Sequence, residues 1–552
     1  MPKAEDIKKI LYGYIACDSI SSTEKEQKAE NYFLDFFKDQ PYFKAHPDHF
    51  GAEPIHDDPC GRSTVWAMVK GTGKDAVVCI HHHDVVTVED FKSLKDLAFS
   101  PDELEEALAE ISDSFSDEAR EDYESGGWIF GRGGCDMKGG GSIQMALLSE
   151  YGRQIMEDPA SFKGHVIILS VPDEENLSAG MLTGIKVLKR LKEKYDLNYR
   201  LMINSEPHQR KEKNTGIFSF GSIGKIMPYV YVRGCLAHAG KVFEGLNPAH
   251  VMAGIVRKTE VNMDFSDIIG NEAAPPPTWL YLRENKENYD VSMPLTINGC
   301  LSVLTLNSQP RDVLYKLKDV CIEAFDEVIE DMNRQYARFM EATHREPHKL
   351  PWKTHVVLFG DLIKEARRDY PDTFDQAYKE ELIRLKASIR AGEESTIMAN
   401  FKLVDFVYDY INDLSPRVVV GLMPPYYPNV YNGLNEQEEK VQGLYEYLRD
   451  FTEETFGQTY VSEAYYTGIS DLSYSYMKNA DQVEAILDHS MAFFGDIYHI
   501  PLKDIEAVSM PCVNVGPWGK DFHKLTERVY KEDMYERTPV ILNETIRYML
   551  ND

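Results

Sequence analysis

Histidine and carboxylate side chains recur in this 552-residue chain directly after short apolar runs. Residues 76–80 (AVVCI) lead into His81-His82-His83-Asp84, and 165–171 (HVIILSV) lead into Pro172-Asp173-Glu174-Glu175. Residues 201–205 (LMINS) lead into Glu206, and 510–516 (MPCVNVG) into a stretch that reaches His523. One more acid, Asp136, lies in GRGGCDMKGGG (131–141), behind Trp128-Ile129-Phe130. Imidazole nitrogens and carboxylate oxygens are the donors that zinc, cobalt or manganese accept. The six glycines around Asp136 weaken any helix or strand there. Such a segment is either a mobile surface loop or a place where the backbone must approach something closely. A carboxylate between two cations about 3.5–4 Å apart is one such demand.

For these groups to meet, the apolar runs must be neighbouring strands whose carboxyl ends share one edge, where open parallel sheets bind ligands. The runs alternate with helical periodicity at 145–151 and 184–195, which predicts an α/β layer with a mostly parallel sheet. Residues 128–130 are expected on the same edge. The pattern then changes. Residues 225–234 alternate like a half-exposed strand, Asn247-Pro248 opens a helix, 295–306 reads as a strand, and a long helix starts at Arg311. This predicts a small α+β, ferredoxin-like domain that still lacks its last strand. Residues 341–415 are charged and helical in pattern, and 416–428 supply the missing strand, so 341–415 is a helical insertion. From about residue 433 the α/β pattern resumes, with a helix to Phe456, the strand 510–516 and a closing helix from about Leu525. The expected division is 1–213 and 431–552 for one domain and 214–430 for the other.

Composition narrows the function. A formal charge of −30 argues against nucleic acid as a partner, because phosphate would be repelled. Much of that acidity lies in 101–126, read as a solvated helical face. No run of about 18 apolar residues occurs, so no membrane span is expected, and the N-terminus lacks the layout of a secretory signal. Eight scattered cysteines without a CxxC pair read as reduced thiols of a cytoplasmic protein.

His82-x-Asp84, Gly131-Arg132-Gly133-x-x-Asp136-Met137-Lys138-Gly139, Asp173-Glu174-Glu175, Glu206-Pro207 and His523 together resemble the motif series of the di-zinc aminoacylase, carboxypeptidase G and desuccinylase superfamily. His238-Ala239-Gly240 with Asn247-Pro248 resembles the histidine motif of that superfamily's lid domain, and Gly468-Ile469-Ser470-Asp471 its late turn. Length, the insertion and residues 522–527 (FHKLTE) are most similar to its arginine-utilisation branch. The resemblance implies two divalent metal ions, zinc first and cobalt or manganese as alternatives. His82 and Glu206 would hold one, Glu175 and His523 the other, and Asp136 would bridge. It implies that Asp84 orients the His82 ring, that Glu174 is the general base, and that His238 supports an oxyanion. It also implies a homodimer joined through the lid domains, acting on an N-acyl amino acid or small peptide.

Other readings stand beside these. His81 or His83 takes the place of His82 if the register slips by one, although alternation puts Asp84 on the side of His82. Cys135 is either a soft ligand or a small buried residue. Arg311 is the nearest candidate for a substrate carboxylate, in a context that departs from the family pattern. The rival activities are a dipeptidase or carboxypeptidase and, in another class, a catalytically silent metal-binding scaffold, which the presence of Glu174 disfavours.

Overall fold

The computed structural model describes residues 1–550 other than 211, 213, 287, 433–438 and 467. The start of the helix expected from about residue 433 lies outside the described residues. The chain divides into two compact units, one formed by Met1–Ile223, Val430–Lys478 and Lys503–Asp552, the other by Gly224–Asn429 and Asn479–Leu502.

The first unit is built on an eight-stranded mixed sheet. Its order is Phe50–Pro54, Ser63–Lys70, Lys163–Val171, Thr72–His82, Asn198–Asn204, Cys512–Asn514, Thr215–Ser219, Thr459–Glu463. The central four, from Lys163–Val171 to Cys512–Asn514, run parallel. Parallel neighbours are buried on both faces, which is why these strands read as continuous apolar runs. One face carries Val77, Cys79, Val166, Ile168, Leu201 and Ile203, packed with side chains such as Leu11, Phe33, Leu147 and Ile546. Those partners come from the helices Ala4–Ile15, Glu26–Lys38, Lys138–Glu157 and Thr538–Leu550. Burying one such side chain stabilises the fold by about 1.5–3 kcal/mol.

Two expectations need correction here. Trp128–Phe130 does not join the large sheet; it pairs with Arg528–Tyr530, which pairs with Gly519–Lys520 in a separate three-stranded sheet. The closing helix does not begin near Leu525. Residues 525–527 form a turn into Arg528–Tyr530, and the last helix is Thr538–Leu550. A three-residue strand is too short to show a period.

The second unit holds a five-stranded sheet in the order Thr278–Glu284, Thr296–Thr305, Gly224–Arg233, Arg417–Tyr427, Val356–Leu358. It is antiparallel except for the last pair. Helices Pro248–Thr259 and Pro310–Ala342 contact it, the first capped by the Asn247 side chain, which accepts from Ala249 N–H at 2.9 Å. The helices Phe359–Asp369, Phe374–Arg390 and Thr396–Tyr408, which fall in the stretch read as an insertion, bury Leu362, Leu385, Phe401 and Val404 against Tyr229, Tyr231, Val419 and Met423. Strand Gly224–Arg233 is therefore not half-exposed as its alternation suggests, since helices cover both faces of its sheet. Residues 479–502, expected with the first domain, pack in this unit. The helix Ala480–Ser490 lies so close to Phe359–Asp369 that a Cβ at Gly360 would come within 2.2 Å of His489.

Candidate metal centre

The pleat of Thr72–His82 sorts the three histidines. His81 follows Val77 and Cys79 onto the helix-covered face, where its ring meets Gln144 Oε1 at 2.9 Å and Tyr14 Oη at 3.2 Å. His83 reaches the same network through Ser170, its Nδ1 lying 2.9 Å from Ser170 Oγ and that hydroxyl 2.7 Å from Tyr14 Oη. His82 is turned the opposite way, because successive strand side chains alternate. Burial pushes His81 down to about 4, so it stays neutral.

His82 meets carboxylates instead. Its Nε2 lies 3.0 Å from Asp136 Oδ1, 3.4 Å from Glu206 Oε1 and 4.0 Å from Glu174 Oε2. Its Nδ1 is 3.0 Å from the backbone carbonyl of Asp84 and 3.5 Å from that residue's carboxylate. A ring that donates through Nδ1 leaves the Nε2 lone pair free for a cation. The Asp84 carboxylate accepts the N–H groups of Glu174 at 3.1 Å and Glu175 at 3.2 Å, which fixes the turn carrying both acids. Across the site, His523 Nε2 lies 3.0 Å from Glu175 Oε1 and 3.2 Å from Asp136 Oδ2. Asp136 thus presents one oxygen to each histidine. Ligand atoms of His82, Asp136 and Glu175 all lie within 4.8 Å of one another.

The electrostatics show a surplus of buried negative charge. Burial raises Glu206 to about 7, with Asp136 adding to the effect, and also raises Glu175. Burial drives Glu174 well above the carboxylate range against the pull of His82, with Asp471, Glu206 and Glu175 reinforcing it. Hydrogen bonds to Asp136 and Glu175 raise His523 to about 10. For His82 the burial penalty is outweighed by Glu206, Asp136 and Asp84, so it too is raised. Two histidines among this many carboxylates form a donor set that suits divalent cations, which would take the place of the protons these groups otherwise retain.

The glycines bring backbones close together. Gly139, Gly140 and Gly141 open the helix Lys138–Glu157, and a Cβ at Gly140 would come within 2.1 Å of the Ser205 carbonyl oxygen. They let the helix start press onto the strand end that precedes Glu206. Gly133, at φ +76°, lies against Val85. Cys135 is fully buried, and a Cβ at Gly519 would come within 2.0 Å of its Sγ, so it packs as a small residue.

Two further residues belong to the first unit's site. Asp471 is buried, 3% exposed, and burial raises it to about 8; it also adds to the upward shift of Glu174. Glu527 ends the 522–527 stretch singled out above, but its role is not legible there, because the backbone N–H groups that its carboxylate accepts, within 133–136, lie almost 400 positions earlier. His238 and Arg311 are in the second unit. His238 is exposed and its Nδ1 accepts from Gly240 N–H at 3.0 Å, while the Arg311 guanidinium lies over the Tyr315 ring.

Comparison with known proteins gives the chain's family and fold. Over 551 residues the chain is 29% identical to YqjN of Bacillus subtilis (strain 168), covering 99% of this chain and 96% of that protein. It is 27% identical to RocB of the same organism, covering 100% and 96%. The crystal structure of aminopeptidase PepT from Bacillus cereus ATCC 10987 shares the fold at a TM-score of 0.53 and 13% identity, over 99% of each chain. The model of Peptidase family M20/M25/M40 matches residues 111–551. His82 and Asp84 precede that match, yet the fold brings them to Asp136, which lies inside it. The chain is a member of Peptidase family M20/M25/M40, a family of peptidase-type hydrolases.

Proposed function

We propose that the protein is a two-metal amide hydrolase acting on an N-acyl amino acid or a small peptide. The observation that carries this is the split of Asp136, whose two oxygens lie 3.0 and 3.2 Å from the Nε2 atoms of His82 and His523. In this reading His82 and Glu206 would hold one ion, Glu175 and His523 would hold the other, and Asp136 would serve both. Bound zinc, cobalt or manganese would supply polarisation of a scissile carbonyl and acidification of water. Glu174, largely buried and among the described residues 4.0 Å from the His82 Nε2, takes a proton at its carboxylate and returns it to the leaving nitrogen. Asp84 keeps the His82 ring and the Glu174–Glu175 turn in place. The full-length likeness to RocB favours an N-substituted arginine or a related amino acid as substrate. Among the described residues all eight cysteines are free, in keeping with a cytoplasmic protein.

Assay of the metal-loaded protein against N-acyl amino acids, acyl-arginines included, and free-amine dipeptides tests the reading. Turnover of blocked substrates over dipeptides is expected. Dipeptide turnover alone replaces the deacylase with a dipeptidase, and no turnover of either class rejects the function.

The same reading includes a homodimer. The edge strand Thr278–Glu284 leaves Leu280 and Leu282 about half exposed, which suits pairing with a second copy. His238 would then reach its partner's site and support the oxyanion. His238→Ala is expected to bind two ions yet lose about 10²–10³ in turnover. Co-expressed with Glu174→Gln, it should regain activity, since one site in each mixed dimer draws both intact residues from different chains. Verified mixed dimers that stay inactive would refute the shared site.

A further inference from the structure

Glu527 is four residues beyond His523 and 1% exposed. Its Oε1 accepts the backbone N–H groups of Gly133 at 2.8 Å, Cys135 at 3.3 Å and Asp136 at 3.3 Å. Its Oε2 accepts from Arg132 Nη1 at 2.5 Å. Arg132 is fully buried, its other terminal nitrogen donates to Asp90 Oδ1 at 2.8 Å, and its guanidinium lies over the Phe91 ring at 5.1 Å. The glycine-rich loop therefore curls around one carboxylate, with three N–H groups and an arginine converging on it. A nest of this kind ordinarily captures a free anion. Here the anion belongs to the chain, and it comes from the segment that carries His523.

We propose that Glu527 is a positioning residue that sets the separation of Asp136 and His523, and so decides whether the ion they share can bind. The inference rests on the two-metal reading above. Glu527 ties the backbone nitrogen of Asp136 to a point four residues from His523, and the facing atoms of that pair, Asp136 Oδ2 and His523 Nε2, are 3.2 Å apart. Without the clamp, the loop and the late segment are joined near the site by the short pairing of Trp128–Phe130 with Arg528–Tyr530. Arg132 donates to this carboxylate and is itself held by Asp90, so the pair can be probed from either end.

Glu527→Gln preserves the shape but turns an amide N–H toward Arg132 or toward the loop's own N–H groups. Zinc competition titrations of wild type, Glu527→Gln, Glu527→Asp and Asp90→Asn, with melting curves of the metal-free proteins, make the test. Glu527→Gln is expected to weaken one of two zinc sites by about 10–100-fold, the usual effect of losing a group that orients a ligand. Glu527→Asp keeps a carboxyl group with a shorter reach and should weaken the same site less. Asp90→Asn, which touches the Arg132 side chain and not the N–H groups of the loop, should lower Tm and leave both affinities unchanged. If Glu527→Gln does not fold, the Glu527→Asp titration decides alone. Unchanged zinc affinity in the glutamate variants, or an equal loss in Asp90→Asn, overturns the positioning role. A wild-type chain that binds fewer than two ions overturns the two-metal reading itself, a separate result.

Discussion

Glu174→Gln is expected to lower turnover by about 10²–10⁴-fold while leaving metal content unchanged. Its neighbour should behave in the opposite way, with Glu175→Gln losing metal. The two acids share one turn, both backbone N–H groups being held by Asp84 at 3.1 and 3.2 Å. Their side chains diverge. Glu175 Oε1 meets His523 at 3.0 Å and belongs with His82 and Asp136 to the set of atoms within 4.8 Å of one another. Glu174 comes no nearer to His82 than 4.0 Å. An amide at 174 keeps the volume and cannot accept a proton, so chemistry is lost and the cation ligands stay. At 175 the same change removes a charged ligand. Metal analysis and turnover on the best substrate from the screen measure both effects. Metal loss in Glu174→Gln with retention in Glu175→Gln would exchange the two roles.

Which parts of this site can be read from the sequence follows from the range of the forces involved. The strands Thr72–His82, Lys163–Val171 and Asn198–Asn204 are legible because burial on both faces makes their later halves apolar, and the polar residues after them mark the carboxyl edge. The choice of His82 over His81 and His83 rests on alternation, and the network of Tyr14, Ser170 and Gln144 shows where the other two point. Long-range pairing is not legible in this way. Glu527 appears as one acid in a polar turn until residues 133–136 are placed around it. The helix Ala480–Ser490 follows the α/β pattern in the chain yet packs in the second unit, because its apolar face is compatible with either core. Strand Gly224–Arg233 alternates as if one face were wet, but Tyr229 and Tyr231 are covered by helices whose assignment to that face needs the fold.

The second large effect concerns Asp136. In the two-metal reading, Asp136→Asn replaces one of two ligand oxygens with an amide nitrogen that cannot serve as an anionic ligand. Metal content at saturation should fall from two ions to at most one, and turnover by about 10³-fold or more, as two-metal chemistry requires both ions in register. Stability gives a readout independent of activity. A ligand that binds only the folded chain stabilises it by about 2.7 kcal/mol at one hundred times its Kd. The gap in Tm between metal-free and zinc-loaded protein should therefore shrink in Asp136→Asn. The metal-free variant also has a reason to differ from wild type, because Asp136 is the carboxylate that His82 and His523 both face, at 3.0 and 3.2 Å. Removing its charge leaves Glu206 as the nearest carboxylate to the His82 Nε2, at 3.4 Å, and Glu175 as the nearest to His523, at 3.0 Å. The loaded and unloaded forms must accordingly be compared within each variant and not across them. If Asp136→Asn retains two ions at wild-type affinity and the same zinc-dependent rise in Tm, Asp136 does not bridge, and packing against neighbours such as Ser205, Val85 and Glu527 accounts for the shape of the glycine-rich loop.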